Sequence, residues 1–357
     1  MPTAGPLKRM LSPLVNPQVF DFWASHLSPT LSWERALAKV LARRVEARDT
    51  VTLELKPNRH VGGFAPGQHV SVTVSVDGVR LTRSYSPSWL GRGRMAVTVK
   101  KIPGGKVSGW LTEHCRVGDV LEIGPAFGDM TQPSLDRPWL LVAAGSGITP
   151  MMSLLRQAAT QPPSLPPITL LYWARTRADL CFLRELDQLA GRLPSLTVHR
   201  ILTRESALLP EEHGGRPDET LLRALVPDLG ARQVYACGPA GFVAAVRALL
   251  AGQVAAFEAE AFSLPVVSVL SGAPVQVTLG RSGRVLSVPA GAPLLAALEA
   301  AGERPAHGCR MGICNTCVCG KLAGTTEDLL GGGLSHEPVG AMKLCVSTAR
   351  TDITLDL

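Results

Sequence analysis

The stretch that decides the fold is His307-Gly308-Cys309-Arg310-Met311-Gly312-Ile313-Cys314-Asn315-Thr316-Cys317, close to the C-terminus of a 357-residue chain. It places three cysteines in the pattern C-x4-C-x2-C, and Cys345 follows after a longer interval. Gly308 and Gly312 flank the loop, and glycine permits the close backbone approach that lets amide N–H groups point at sulfur. The four thiols are therefore candidate metal ligands.

Three thiolates on one short loop and a fourth from a distant segment match the ligand spacing of a plant-type [2Fe-2S] cluster. The predicted ligands are Cys309, Cys314, Cys317 and Cys345. A structural zinc site with the same thiolates is the alternative, although such sites usually show two C-x2-C pairs. Cys319 follows Cys317 by two residues, and on an extended segment we expect its side chain to point the other way. We therefore leave it out of the ligand set.

The segments around the cysteine loop predict a small β-grasp domain. A hairpin is predicted over Val275–Leu279 and Arg284–Val288, a helix over Pro293–Ala301 and a closing strand over Asp352–Leu355. Together with the spacing of cysteines and glycines, residues 273–357 resemble plant-type ferredoxin domains. The resemblance implies that the four cysteines hold a [2Fe-2S] cluster.

Composition limits what the whole chain can be. With 46% hydrophobic and 18% charged residues it is too apolar to be disordered, and its length suits two or three domains. No apolar run is long enough to cross a bilayer and no secretory signal begins the chain, so we expect a cytoplasmic protein with reduced thiols. The net charge is +7, but only 5% of residues are aromatic and basic runs are missing, so nucleic acid is not an expected partner.

The middle of the chain alternates strands with helices. Leu140–Ala144 is a short apolar run that leads into Gly145-Ser146-Gly147-Ile148-Thr149-Pro150 and a helical stretch. Further predicted elements alternate in the same way, as strands over Ile168–Tyr172, Leu196–Leu202 and Gln233–Cys237 and a helix over Asp179–Ala190. The alternation predicts a doubly wound parallel α/β domain, whose ligands bind at the carboxyl ends of the strands.

Two candidate binding loops lie at such strand ends. The glycines of Gly145–Pro150 let backbone N–H groups approach a pyrophosphate, and the N-terminus of the next helix adds about half a positive charge. The third glycine of G-x-G-x-x-G is replaced by Pro150, so an ordinary strand-to-helix turn is the alternative. The second loop is Cys237-Gly238-Pro239, where the alternative for the cysteine is an ordinary buried thiol.

Upstream, short alternating strands separated by turns such as Asp77-Gly78 predict an antiparallel barrel. Those strands are Val51–Leu55, His69–Val76 and Met95–Lys100. Among them stands Arg83-Ser84-Tyr85-Ser86-Pro87. Its arginine can bind a phosphate, its tyrosine can stack on an isoalloxazine ring, and Ser86 can hydrogen-bond near flavin N5. Gly104-Gly105-Lys106-Val107-Ser108 then offers backbone access and a hydroxyl for a second phosphate contact.

In their order along the chain these motifs resemble the ferredoxin-NADP reductase superfamily. The matching segments are Arg83–Ser86, Gly105–Ser108, Gly124-Pro125, Gly145–Pro150, Cys237–Pro239 and Glu258–Phe262. The resemblance implies that Gly145, Ser146, Gly147, Thr149 and Pro150 bind the dinucleotide pyrophosphate and that Cys237, Gly238 and Pro239 lie against the nicotinamide. It implies Tyr85, Ser86 and Cys237 as the residues beside the reacting rings. FAD is the expected flavin, and FMN stays open because Met130 stands where the family usually has an aromatic residue.

The resemblance covers residues 36–357 and divides the chain. The predicted parts are an N-terminal extension over 1–35, an FAD-binding β-barrel over 36–134, an NAD(P)-binding α/β domain over 135–262, a linker over 263–272 and the ferredoxin domain over 273–357. The extension contains Phe20, Phe22, Trp23 and Trp33. We expect it to pack on the barrel, because it lacks a strongly basic amphipathic face, and docking on a membrane-bound acceptor is the alternative.

The choice of dinucleotide depends on charge near the ribose 2′-phosphate. Arg175-Thr176-Arg177 follows the second strand of the α/β domain and Thr203-Arg204 follows the third, where family members hold that phosphate. The predicted contacts are Arg175, Thr203 and Arg204, and Asp179 is the only nearby acid after the second strand. We therefore expect NADPH, with NADH as the alternative.

Three cofactors in a row predict an electron-transfer enzyme. A nicotinamide supplies two electrons as a hydride, and a [2Fe-2S] cluster passes them on singly to an outside acceptor. We expect a monomeric cytoplasmic NAD(P)H oxidoreductase whose acceptor is a membrane-bound di-iron desaturase or hydroxylase, with contact to the inner membrane through that partner. The reductase component of a ring-hydroxylating dioxygenase or another monooxygenase is the alternative acceptor system. A redox sensor or adaptor is the alternative outside enzymes.

Overall fold

The computed structural model describes residues 16–161, 165–263, 273–330 and 333–357. Most of the predicted linker, residues 264–272, lies outside the described residues, as do residues 1–15 of the predicted extension. The chain divides into two compact units, one up to Ala126 and one from Phe127 to Leu357. Within the described ranges, no helix has the length and apolar character needed to cross a membrane.

The first unit is built on a seven-stranded sheet in which neighbouring strands pair antiparallel. Its strands are β1 (Leu37–Ala47), β2 (Thr50–Pro57), β3 (His69–Val76), β4 (Val79–Tyr85), β5 (Pro87–Gly91), β6 (Arg94–Lys100) and β7 (Val120–Phe127), in the order β4-β3-β7-β1-β2-β6-β5. Asp77 and Gly78 have positive φ angles of 51° and 77°, as a two-residue hairpin turn between β3 and β4 requires. Alternate residues such as Leu53, Val72 and Val97 form the core.

Between residue 16 and Ala126 this unit has three helical segments: α1 (Pro17–Leu27), α2 (Lys106–Gly109) and a π-helical turn over Trp110–His114. α1 begins where it does because the Asn16 side chain accepts hydrogen bonds from the N–H groups of Gln18 and Val19, with Pro17 at the first helical position. The segment after α1 is held against the sheet, since the Asn58 side chain donates to the carbonyl of Thr30 at 2.9 Å.

The second unit contains a six-stranded parallel sheet. Its strands are β8 (Trp139–Ala144), β9 (Ile168–Ala174), β10 (Leu196–Leu202), β11 (Glu212–Gly214), β12 (Gln233–Gly238) and β13 (Ala256–Ala261), in the order β11-β10-β9-β8-β12-β13. The helices between them are α3 (Ile148–Ala158), α4 (Leu183–Arg192), α5 (Glu219–Leu225) and α6 (Ala240–Leu250), with 3-10 turns at Gly145–Gly147, Arg177–Asp179 and Leu229–Ala231. Helix α4 starts later than the predicted Asp179, because Asp179 caps a 3-10 turn and Phe182 has a φ of 62°.

Two further sheets follow in the same unit. Their elements are β14 (Val275–Leu279), β15 (Val285–Val288), α7 (Leu294–Ala300), β16 (Val318–Ala323), β17 (Thr326–Asp328), β18 (Leu334–Ser335), β19 (Gly340–Lys343), β20 (Ser347–Ala349) and β21 (Ile353–Leu355). The larger sheet has the order β15-β14-β21-β16-β19, with β21 parallel to β14, and the smaller has β18-β17-β20. The predicted architecture of antiparallel barrel, parallel α/β domain and β-grasp domain is confirmed.

Candidate functional site

The four cysteines predicted as cluster ligands lie together. Cys309, Cys317 and Cys345 are buried and Cys314 is half-buried. The sulfur atoms of Cys317 and Cys345 are 3.2 Å apart, and the Cys309 and Cys314 N–H groups donate to each other's sulfur at 3.2 and 3.4 Å. The sulfur of Cys309 also interacts electrostatically with that of Cys345. The described thiols thus form two close pairs, Cys317 with Cys345 and Cys309 with Cys314.

The loop backbone wraps around these sulfur atoms. The Met311 N–H donates to the Cys309 sulfur at 3.3 Å, and Gly312 has a φ of 80° that curls the chain back. An N–H directed at sulfur stabilises the thiolate form that iron binds, so the donor set fits a [2Fe-2S] cluster. The sulfur of Cys319 instead donates to the carbonyl of Gly320 at 3.4 Å.

Two charged residues near the loop were not singled out from the sequence. The Lys343 ammonium donates to the carbonyl of Gly312 at 2.5 Å, and its charge contributes to lowering the pKa of Cys317 after the hydrogen bond from Cys345. Arg310 forms a two-pronged ion pair with Glu299, with distances of 2.8 and 2.5 Å. No spacing rule marks either residue, because their partners come from distant segments.

The nucleotide loop lies where the order of the parallel sheet reverses. β8 and β12 are neighbours, and their connections run to opposite sides of the sheet, which creates a crevice at their carboxyl ends. Gly147 contacts the end of β12 so closely that an added Cβ would overlap the Cys237 carbonyl and lie 2.8 Å from the Gly238 nitrogen. The predicted Gly145–Pro150 and Cys237–Pro239 segments are therefore brought together by backbone packing.

Side chains then hold this loop in place. The Thr149 hydroxyl donates to the carbonyl of Ser146 at 3.0 Å, and Pro150 is buried in the first turn of α3. The buried Tyr172 hydroxyl donates to the carbonyl of Gly145 at 3.3 Å and accepts from the Cys181 N–H at 3.0 Å. Tyr172 was missed from the sequence because a tyrosine within an apolar strand is typical of an ordinary core.

Cys237 is fully buried at the end of β12. Burial and the neighbouring Glu260 raise the pKa of its thiol well above the ordinary value, so it is a neutral thiol. Glu260 lies opposite Cys237 in the parallel register of β12 and β13. Burial, Asp129 and Glu258 raise the pKa of Glu260 to about 8. Cys237 therefore adds no charge to this end of the sheet.

The cations predicted for the 2′-phosphate separate into two groups. Arg175 and Arg204 are exposed, and the Arg204 N–H donates to the Arg175 carbonyl at 2.8 Å, so both follow neighbouring strand ends. Thr203 lies beside them and is also exposed. Arg177 differs, because its guanidinium binds both carboxylate oxygens of Glu212 at 2.7 and 2.6 Å.

Asp179 is engaged locally. Its carboxylate accepts from the Thr176 hydroxyl at 2.8 Å and from the Thr176 N–H at 3.2 Å, which is a capping box. The Asp179 carboxylate, the acid after the second strand that could bind the 2′-hydroxyl of NADH, is therefore already hydrogen-bonded within a turn.

The predicted flavin motif begins in the last residues of β4 of the first unit. Arg83, Ser84 and Tyr85 end that strand, and Tyr85 pairs with Val70 of β3. The hydroxyls of Ser84 and Ser86 are buried without a hydrogen-bond partner among the described residues. An unpaired buried hydroxyl costs about 1–3 kcal/mol, so both fit a bound ligand that supplies the missing partner. Burial raises the pKa of Tyr85 well above its ordinary value and keeps the ring neutral for stacking.

The second predicted phosphate contact is a tight turn. The Ser108 hydroxyl accepts from the Ile102 N–H at 3.2 Å and donates to the Gly105 carbonyl at 3.3 Å. Val107 is buried, while Gly104, Gly105 and Lys106 line an open cavity of about 590 Å³. The turn thus presents backbone groups and an ammonium to space that a phosphate group can occupy.

Comparison with protein families matches three consecutive parts of the chain. Residues 38–131 match the oxidoreductase FAD-binding domain, residues 141–248 the oxidoreductase NAD-binding domain, and residues 277–350 the 2Fe-2S iron-sulfur cluster binding domain. FAD, NAD(P)H and a [2Fe-2S] cluster are therefore the cofactors of this protein.

Similar proteins match most of the chain. The chain is 33% identical over 98% of its length to an NADPH oxidoreductase of Mycobacterium tuberculosis, covering 92% of that protein. It is 31% identical over 82% of its length to the glycine betaine monooxygenase reductase subunit of Pseudomonas aeruginosa, covering 87% of it. The crystal structure of phthalate dioxygenase reductase superposes with a TM-score of 0.60 at 25% identity, over 90% of this chain and 97% of that one. The chain therefore belongs to the ferredoxin-NADP reductase superfamily, as a flavin- and iron-sulfur-dependent NAD(P)H oxidoreductase that ends in a plant-type [2Fe-2S] ferredoxin domain.

Proposed function

We propose that this protein takes electrons from NADPH and delivers them to the oxygen-activating component of an oxygenase system. The observation that carries the proposal is the order of three regions along one chain. These are a barrel in which Ser84 and Ser86 have no hydrogen-bond partner among the described residues, a glycine loop where the parallel sheet reverses, and a ferredoxin domain with two close thiol pairs. When bound, FAD accepts a hydride and the [2Fe-2S] cluster transfers single electrons. The domain limits 36–134, 135–262 and 273–357 enclose the three matched families.

The chain's own residues have separate tasks in this proposal. Arg83 and the Gly105–Ser108 turn bind flavin phosphates, Tyr85 stacks on the ring, and Ser84 and Ser86 donate to it. The Gly145–Pro150 loop binds the dinucleotide pyrophosphate, and Cys237 packs against the nicotinamide as a neutral thiol. Placement within contact distance accounts for most of the rate in such a site, and no protein acid or base is required.

Turnover tests the central claim. The purified holoenzyme is mixed with NADPH or NADH, and flavin bleaching and cytochrome c reduction are followed. We expect rapid flavin reduction and sustained cytochrome c reduction. Negligible flavin reduction with both nucleotides would contradict the reductase function and favour a redox sensor or adaptor.

NADPH is the proposed donor because Arg175 and Arg204 are exposed at adjacent strand ends while Asp179 is bound to Thr176. Replacing either arginine by alanine should raise the KM for NADPH by about tenfold, the value of one charge-assisted hydrogen bond, and leave the KM for NADH unchanged. Arg192→Ala is the matched control, because Arg192 is exposed at the end of α4, before the start of β10, whereas Arg175 and Arg204 follow the carboxyl ends of β9 and β10. Equal effects on both nucleotides would contradict the assignment.

For the acceptor we propose a membrane-bound di-iron desaturase or hydroxylase. The proposal rests on the N-terminal extension before the FAD-binding domain: the similarity to the Mycobacterium tuberculosis NADPH oxidoreductase, whose name specifies no acceptor, extends over 98% of the chain, whereas that to the glycine betaine monooxygenase reductase subunit covers 82%. The name of the second relative supports the alternative, a soluble dioxygenase or monooxygenase. NADPH-dependent oxygen uptake after adding host membranes or host soluble extract to the holoenzyme separates them. Stimulation by the soluble extract alone would contradict the membrane-bound acceptor.

A further inference from the structure

Lys343 connects the two segments that carry the predicted cluster ligands. It ends β19, two positions before Cys345, and it pairs with Val318 of β16, which directly follows Cys317. Its ammonium donates to the carbonyl of Gly312 in the cysteine loop at 2.5 Å. The side chain is therefore held between the strand that leads to the fourth thiol and the loop that carries the other three.

The carbonyl that accepts this hydrogen bond belongs to a peptide group that contacts a ligand. The C=O of Gly312 and the N–H of Ile313 form one peptide group, and that N–H interacts with the sulfur of Cys309. A cation at the carbonyl end of a peptide polarises the group and strengthens the hydrogen bond made by its N–H. The Lys343 charge also acts directly on the Cys317 sulfur. Lys343 thus acts on two of the four thiols, one through a peptide group and one through space.

The charge of Lys343 has no ion-pair partner within the part of the chain that the structure describes. It differs in this from Arg310 of the same loop, whose guanidinium is neutralised by Glu299 at 2.8 and 2.5 Å. The Lys343 side chain is also half-buried, so solvent and salt screen its charge less than that of an exposed lysine. Lys343 therefore supplies an uncompensated positive charge to the cysteine loop.

We infer that Lys343 is a positioning residue that sets the reduction potential of the [2Fe-2S] cluster, because its charge stabilises the reduced state. Reduction adds one electron, and so one negative charge, to a cluster held by four thiolates. Net charge and hydrogen bonds to sulfur tune such potentials, and a nearby cation favours the more negative state. A higher potential favours electron transfer from the reduced flavin to the cluster. The inference rests on the proposed ligand set and adds to it a residue that binds no iron.

The test is an anaerobic redox titration of the full-length holoenzyme, with the EPR signal of the reduced cluster as the readout. Lys343→Met and Lys343→Gln remove the charge, and each should shift the reduction equilibrium towards the oxidised cluster by about tenfold, because a unit charge acts over about 10 Å at an effective dielectric constant of about 20. That change corresponds to about 59 mV for a one-electron couple. Lys343→Arg keeps the charge and should restore the wild-type equilibrium.

The matched control is Arg350→Gln, which removes a positive charge that Glu327 neutralises in the same domain. It should titrate as the wild type does, and an equal shift in this control would overturn the inference. Iron and sulfide content is measured for every variant, because it separates a change in potential from loss of the cluster.

The remaining outcomes distinguish the inference from the proposed ligand set. A wild-type potential with full iron content in Lys343→Met and Lys343→Gln would overturn the inference and leave the ligand set intact. Loss of iron from both variants would also overturn it, because Lys343 would then hold the loop together without tuning the cluster. A wild-type protein without iron and sulfide would contradict the ligand set, and the inference with it.

Discussion

The cluster loop and the nucleotide loop are built in opposite ways. The cluster loop depends on four side chains, since each predicted ligand contributes one sulfur atom to a shared region. The nucleotide loop depends on missing side chains, since Gly147 fits against Cys237 only without a Cβ. One site is thus defined by the chemistry of its residues and the other by the space between two strand ends.

The difference predicts how each site fails. A ligand substitution removes the chemistry and leaves the loop largely folded, because the thiols hydrogen-bond weakly to backbone groups. A glycine substitution disturbs the backbone itself, because rigid groups lie on both sides. Substitutions in the cluster loop should therefore abolish function while the protein stays folded. Substitutions in the nucleotide loop should reduce both function and stability.

Cys314→Ser should have the largest functional effect. Removing one of four thiolates should abolish the cluster, so the iron content should fall to near background and cytochrome c reduction should fall by well over about tenfold. Flavin reduction by NADPH should persist, because it does not involve the ferredoxin domain. Iron and sulfide analysis with stopped-flow flavin bleaching measures both.

The control for this variant is Cys319→Ser, at a buried thiol whose sulfur donates to the carbonyl of Gly320. It should keep its iron, because a hydroxyl preserves that hydrogen bond. Unchanged iron in Cys314→Ser would contradict the assignment of Cys314 as a ligand. Loss of iron in both variants would contradict the exclusion of Cys319 from the ligand set.

Gly147→Ala tests the nucleotide loop. The added Cβ would overlap the Cys237 carbonyl, so the two strand ends must separate at a cost of about 1–3 kcal/mol. We expect a lower melting temperature together with a KM for NADPH raised by roughly tenfold or more. Gly191→Ala is the matched control in α4, where an added Cβ meets no atom within 4 Å and should stabilise the helix slightly.

Much of the fold could be predicted from short-range patterns. Leu140–Ala144 is apolar throughout because β8 has neighbours on both edges and helices cover the sheet, and Asp77-Gly78 fixes a hairpin because both residues accept positive φ. The four thiols could be found because their spacing is itself the signal. Apart from Cys345, these features depend on residues close together in the sequence.

Features that depend on distant partners could not be predicted. Arg177 and Arg175 look alike in the sequence, yet only Arg177 meets Glu212, from a strand more than thirty positions away. Tyr172 supports the Gly145 carbonyl through a contact that no local pattern marks. Asp21 of α1 likewise accepts a hydrogen bond from the Ser32 hydroxyl, eleven positions along the chain, and helical spacing does not mark this contact.

Glu260→Gln tests whether one side chain near the nucleotide loop affects the pH dependence of stability. The pKa of Glu260 is about 8 in the folded protein against 4.5 ordinarily, so the folded state holds one more proton between these values. Its contribution to stability is therefore full below pH 4.5 and lost as the pH rises towards 8, by about 1.4 kcal/mol per pH unit. Denaturant unfolding across this range should show the slope in the wild type and not in Glu260→Gln. Glu219→Gln, at an exposed residue paired with Arg223, should keep the wild-type slope.

Ser86→Ala should produce the smallest change and distinguishes a ligand site from a packing defect. Its buried hydroxyl has no partner among the described residues, so its removal should leave the stability of the apoprotein unchanged or raise it by up to about 3 kcal/mol. The flavin affinity should fall by roughly three- to tenfold, because the hydroxyl then has no role but to bind the ring. Thr98→Val is the opposite case, since the Thr98 hydroxyl lies 2.7 Å from that of Thr52, and it should cost about 1 kcal/mol of stability without changing the flavin affinity. If Ser86→Ala instead lowered the stability without changing the flavin affinity, Ser86 would serve folding and not flavin binding. The contrast between a site defined by side-chain chemistry and a site defined by backbone space would then apply only to the second unit.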